Sequence, residues 1–141
     1  MSNTEDTEYA QPVSDQSTSK YTRKKEQLDC YLKAQVRIGT VDKELVERAW
    51  KALQLLIQYK KRIDLPAVGV GESSQILFEW DRGYHHLELE VFITGEAELF
   101  YLNRETNKSC EDYYFIESSN ILLADEQMKL ALDDFLRRNE P

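Results

Sequence analysis

Apolar and polar residues alternate with a two-residue period over residues 76–80 (Ile-Leu-Phe-Glu-Trp) and 85–93 (His-His-Leu-Glu-Leu-Glu-Val-Phe-Ile), on either side of a tight turn. That period is the signature of half-buried strands, and the pattern predicts an antiparallel β-meander over residues 76–102. With Arg82 and Gly83 as a two-residue loop, Trp80 opposes His85, Phe78 opposes Leu87 and Ile76 opposes Leu89 on one face. The other face then sets Asp81 against Tyr84, Glu79 against His86 and Leu77 against Glu88, with Glu90 and Phe92 further along. A slip of one residue would bury Glu88 and Glu90, so burial enforces the parity.

A second turn over residues 94–96 leads into residues 97–102, where apolar side chains occupy both parities. A two-residue loop sends Phe100 and Leu102 to the core and leaves Leu99 and Tyr101 outside. A three-residue loop with a bulge does the reverse. After a loop over residues 103–108, residues 112–116 permit a fourth strand through Tyr113, Tyr114 and Phe115. Gly69 and Gly71 precede the meander without the lysine of a phosphate-binding loop and without a following helix, and they read as a linker.

The flanking segments carry helical spacing. Leu28, Leu32 and Val36, with Tyr31 beside them, predict a helix over residues 22–38 that stops at Gly39. Asp42 is placed as the N-cap of a second helix reaching residue 62, with Val41 stapling onto Val46 and a wide apolar face of Leu45, Ala49, Trp50, Leu53, Leu56 and Ile57. Pro66 bars continuation. The short link makes these two helices a hairpin. Asp125 caps a last helix to residue 138, with its stripe of Met128, Ala131, Leu132, Phe135 and Leu136 directed at the sheet face of Phe78, Trp80, Leu87 and Leu89. The expected fold is therefore α+β: an N-terminal helical hairpin, a three- to four-stranded antiparallel meander, and a C-terminal helix on one sheet face.

The runs ILFEW, HHLELEVF and ELFYLNRET resemble the sheet of small uncharacterised bacterial proteins that pair an aromatic-acidic strand with a Leu-Glu-Leu-Glu strand. The resemblance covers a minor part of the chain and describes a sheet; it implies a bacterial origin and no activity.

The 141 residues suffice for one core, read as a single domain over residues 20–141 behind a disordered acidic tail over residues 1–19. A formal charge of -8 argues against general nucleic-acid binding and for a cytoplasmic protein. Cys30 and Cys110 are the only cysteines, far apart and outside zinc spacing. No apolar run reaches membrane-spanning length.

Three sets of residues carry the functional expectations. Leu77, Tyr84 and Phe92, with Glu79, Glu88 and Glu90 around them and either Tyr101 or Leu102 added by the third strand, fit a surface for a protein partner or a second copy of the chain. Lys24 and Lys25, at the start of the first helix, lie beside Lys60, Lys61 and Arg62 at the end of the second if the hairpin is antiparallel. That basic end suits an anion. Glu79, His86 and Glu88 are the residue types of a metal site, but an open sheet face supplies no evident pocket, and solvated cross-strand pairs account for them equally. His85, opposite Trp80, reads as a hairpin-end residue that finds a hydrogen-bond partner. The leading expectation is a regulatory or interaction module without catalysis, cofactor or metal. The alternatives are a nucleic-acid-associated protein or acidic nucleic-acid mimic, and a metal-dependent enzyme at the sheet surface.

Overall fold

The alternating runs fold as one antiparallel sheet, and the helical stripes fold over one of its faces. In the computed structural model, which describes residues 13–61, 63–117, 121 and 123–137, the elements are α1 (Val13–Ile38), α2 (Lys43–Tyr59), β1 (Ala67–Val70), β2 (Ile76–Arg82), β3 (His85–Val91), β4 (Glu96–Asn103), β5 (Lys108–Phe115) and α3 (Glu126–Arg137). The class is α+β, with the N-terminal helical hairpin and the C-terminal helix in their expected places. The sheet has five strands in the order β1 to β5, each antiparallel to its neighbour, rather than three or four.

The added strand, β1, is the segment read as a linker. Val68 pairs with Phe78 and Val70 with Ile76, which directs the two valines toward the core, while Gly69 faces Leu77. Four residues containing a glycine carry too little alternation to register as a strand. Once β2 offers a paired edge, their backbone N–H and C=O groups find partners there. β5 likewise starts earlier than expected, at Lys108.

α1 begins at Val13, nine residues before the expected start. Residues 13–19 are therefore helix and not tail; residues 1–12 of the expected tail lie outside the described residues. With Leu28 and Leu32 anchored in the core, adding turns toward the N-terminus needs no new nucleation, so a polar sequence can be carried along. α2 starts as expected: the Asp42 carboxylate accepts from the Leu45 backbone N–H at 3.0 Å. Its buried stripe is Leu45, Ala49, Ala52, Leu53, Leu55 and Leu56, with Trp50 and Ile57 half-buried at its margins. α3 buries Met128, Leu132, Phe135 and Leu136. All these residues join one apolar cluster with Ile76, Phe78, Trp80, Leu87, Leu89, Val91, Ala97, Leu99 and Tyr114 of the sheet.

The parity of the first hairpin is as expected, but its register is displaced by two residues. Trp80 pairs with Leu87, Phe78 with Leu89 and Ile76 with Val91. Gly83 and Tyr84 form the loop, and Arg82 pairs with His85. Gly83 has φ +66°, and a glycine at the first loop position is what a type II′ turn requires. A two-residue displacement leaves every side chain on its own face, so burial could not distinguish the registers; the position needing positive φ does. The displaced register also brings Arg82 inward, where its guanidinium lies 4.4 Å from the Phe135 ring centroid and pairs with Asp64.

The second turn resolves the third strand. The Gly95 N–H donates to the Phe92 carbonyl and the Phe92 N–H to the Glu96 carbonyl, both at 3.1 Å, with Gly95 at φ +97°. This is the three-residue loop with a glycine bulge. It sends Ala97, Leu99 and Tyr101 inward and leaves Glu98, Phe100 and Leu102 on the other face.

Candidate interaction surface

The helices cover the face of Phe78, Leu89 and Leu99; the opposite face of the sheet is acidic and aromatic. The registers align Glu79, Glu88, Phe100 and Glu111 in one row across β2 to β5. The next row holds Leu77, Glu90, Glu98 and Tyr113, and the one beyond it pairs Glu96 with Phe115. In the other direction lie Asp81, His86, Leu102 and Ser109. No lysine or arginine stands at an outward position of β2, β3, β4 or β5 in these rows.

The carboxylates are close enough to feel one another. Glu88, Glu90, Glu98, Phe100 and Glu111 line a groove of about 250 Å³. Partial burial pushes the Glu98 carboxyl above the ordinary carboxylate range, and the neighbouring charges of Glu111 and Glu90 push the same way. The Tyr113 hydroxyl is in turn held up mainly by the charge of Glu98. Tyr113 and Phe115 stand out into solvent.

Of the residues expected at a partner surface, Leu77, Glu79, Glu88 and Glu90 share this face. Tyr84 does not stand on a strand: it is the second loop residue of the first hairpin, 61 % exposed, and its carbonyl accepts from the Arg104 N–H at 2.7 Å. Phe92 sits in the second turn at the end of the sheet, where it lines a cavity of about 530 Å³ together with Asp42 and Leu45 of the α2 start and Glu98 and Tyr113 of the acidic face. Tyr101 points inward, so Leu102 is the outer member of that pair. Glu98, Phe100, Glu111, Tyr113 and Phe115 were missing from the expected set. Their one signal in the sequence was Gly95, whose bulge sets the parity of β4 and, through pairing, that of β5.

At the Asp81 end the face carries its most ordered polar cluster. Glu79, His86 and Glu88 present three ligand-type atoms within 4.8 Å of one another. His86 is 9 % exposed. Its Nε2 lies 2.7 Å from Glu88 Oε2, and its Nδ1 lies 3.4 Å from Asp81 Oδ2 without a hydrogen bond. Asp81 is fixed from its other side by Arg104, whose guanidinium donates to both carboxylate oxygens at 2.9 and 3.1 Å. The hydrogen bond from Arg104 holds the Asp81 carboxyl below its usual range.

His85, the adjacent residue, serves the other face. It is buried, shares a hydrogen bond between Nδ1 and the Tyr101 hydroxyl, and lies 3.9 Å from Asp134 of α3. Tyr101 and Asp134, with Cys110, Ser109 and Lys108, border a cleft of about 580 Å³ between β5 and α3. Burial, with the charges of Asp125 and Asp112, pushes the Cys110 thiol up, away from the nucleophilic thiolate.

The expected basic end is altered. Lys24 and Lys25 lie well inside α1 and not at its start. Lys60 is engaged by Asp133 of α3 at 2.6 Å and lies over the Tyr59 ring. Lys25 and Lys61 are exposed and Lys24 is half-buried; Arg62 lies outside the described residues.

Comparison of the chain with protein families, with curated proteins and with solved structures finds no match. Among the described residues, no helix is long and apolar enough to cross a membrane.

Proposed function

We propose that the chain is a protein-interaction module whose open sheet face takes a basic, apolar-bearing segment of a protein partner. The observation that carries this reading is the outward composition of β2 to β5: carboxylates in adjacent rows, aromatic and aliphatic groups between them, and no lysine or arginine on the same rows. Charge complementarity favours a cationic partner and speeds its encounter. A second copy of the chain on this face would set carboxylate against carboxylate, and a phosphate backbone would meet the same repulsion.

The raised Glu98 carboxyl supports the assignment, because a nearby ammonium or guanidinium relieves the repulsion that disfavours its ionised form. Phe100 and Tyr113 supply flat surface beside the charges, where the stem of a lysine or the plane of an arginine can lie. The test is fluorescence anisotropy with a labelled peptide alternating arginine and leucine, against a glutamate-leucine control and labelled duplex DNA. The arginine peptide binds, weakens with added salt, and loses at least about tenfold in affinity, or about 1.4 kcal/mol, in Glu98→Lys/Glu111→Lys. Equal binding of both peptides, or tighter binding of DNA, would sink the reading.

A further inference from the structure

The cluster of Glu79, His86 and Glu88 differs from the rest of the acidic face in having a buried imidazole at its centre and a third carboxylate, that of Asp81, behind that imidazole. Solvated cross-strand pairs need neither. A buried ring nitrogen without a hydrogen-bond partner is costly, and His86 Nδ1 is such an atom, facing Asp81 Oδ2 at 3.4 Å. Asp81 is not a free surface carboxylate that could turn away, since Arg104 holds both its oxygens. The sequence Arg104, Asp81, His86, then Glu88 and Glu79, is the order in which histidine ligands are oriented from behind by a carboxylate while the far ring nitrogen faces the ion.

We propose that Glu79, His86 and Glu88 bind one divalent transition-metal cation of the zinc or manganese type, with Asp81 as the positioning residue for His86. Imidazole nitrogen and carboxylate oxygen are the ligand set such ions take, and no thiolate is involved. Coordination uses the Nε2 lone pair, so the imidazole proton resides on Nδ1. With a small turn of the ring that closes the 3.4 Å gap, it can be donated there to Asp81, and the unpartnered nitrogen acquires its partner. The three donor atoms already lie within 4.8 Å of one another. Drawing them to about 2.0–2.2 Å from one ion asks only for side-chain rotation of two partly exposed glutamates. Three protein ligands leave the remaining positions open to water or to a donor from a bound molecule.

β2 and β3 account for the spacing. Glu79 and Glu88 are directly paired across the two strands, and His86 is two residues from Glu88 on the same face. The hairpin therefore presents all three from one rigid ladder, with the register set by Gly83. The adjoining groove shares Glu88 with the cluster, but its Glu98 and Glu111 have no histidine beside them in it, which makes those two residues the internal control.

The test is calorimetric titration of the full chain with zinc chloride, repeated with manganese, alongside imidazole ¹⁵N spectra that resolve the two histidines. One ion binds per chain and shifts the His86 Nε2 resonance while leaving His85 unmoved. His86→Gln and Glu79→Gln/Glu88→Gln each abolish that saturable binding, whereas Glu98→Gln/Glu111→Gln does not. Asp81→Asn retains a binding event weakened about 10- to 100-fold, the loss typical of an orienting partner. Absence of saturable binding to the wild-type chain overturns the proposal, as does binding that survives in Glu79→Gln/Glu88→Gln or that shifts His85 instead. Because those two glutamates are on the open face, that variant keeps the test valid even where His86→Gln fails to fold.

Discussion

His85 and His86 are neighbours in the chain and belong to different chemical environments. One is enclosed on the helix-covered face with the Tyr101 hydroxyl and Asp134; the other is set among Asp81, Glu79 and Glu88 on the open face. The same backbone ladder carries both. What separates them is the alternation of side chains across a strand, followed by the fact that α2 and α3 each have a single apolar stripe and both lay it on the same side. The covered face is held together chiefly by apolar burial, which involves no titrating group. The open face gathers like charges that the fold tolerates and does not need, and which therefore call for an account outside stability.

The sharpest contrast between the faces comes from adjacent residues of β3. Leu89 is wholly buried against the helices, so Leu89→Ala should cost about 2 to 5 kcal/mol in urea unfolding, from lost transfer energy and the cavity left behind. Glu88→Ala should cost less, about 0.5 to 1.5 kcal/mol, because what it removes is the hydrogen-bond partner of His86 Nε2 and no apolar packing. Comparable losses at the two positions would break the distinction between the faces.

A smaller effect is expected where the covered face uses a polar group. The Tyr114 hydroxyl donates to the Ala52 carbonyl of α2 at 2.8 Å, and burial pushes its pKa far up. Tyr114→Phe should lower stability by about 0.5 to 1.5 kcal/mol, read from the denaturation midpoint at unchanged slope. A neutral outcome would mean that this link between sheet and helix contributes nothing beyond packing.

The smallest change has the opposite sign. Glu98 titrates higher in the folded chain than in the unfolded one, so the folded state holds its proton more tightly. This favours folding at acid pH, and the advantage is lost as pH rises from the unfolded value through the raised folded one. At neutral pH the charged carboxylate is a liability. Glu98→Gln should then stabilise the chain by about 0.2 to 1 kcal/mol at pH 7, the scale of like charges set side by side on a sheet. Below the ordinary carboxylate range the gain should vanish. A variant less stable than wild type at pH 7 would show that the hydrogen bond between Glu98 and Tyr113 outweighs the repulsion from Glu111 and Glu90.

The parity of β2 and β3, the helical stripes and the start of α2 were determined by the sequence alone, because each depends on a local period or a single local hydrogen bond: Leu87 and Leu89 inward, Glu88 and Glu90 outward, Asp42 closing the start of α2. The same locality explains the limits. The hairpin registers that differ by two residues bury the same side chains, and only the whole turn, with Gly83 at a position of positive φ, selects between them. β1 exists because β2 presents an edge to it, and no window of four residues containing a glycine announces that. The parity of β4 rested on the bulge at Gly95, and with it the outward placement of Glu98, Phe100, Glu111 and Tyr113. Bringing Arg104 behind Asp81, and Asp81 behind His86, joins residues from two hairpins across the sheet. Spacing along the chain carries no information about that arrangement; pairing of the strands supplies it.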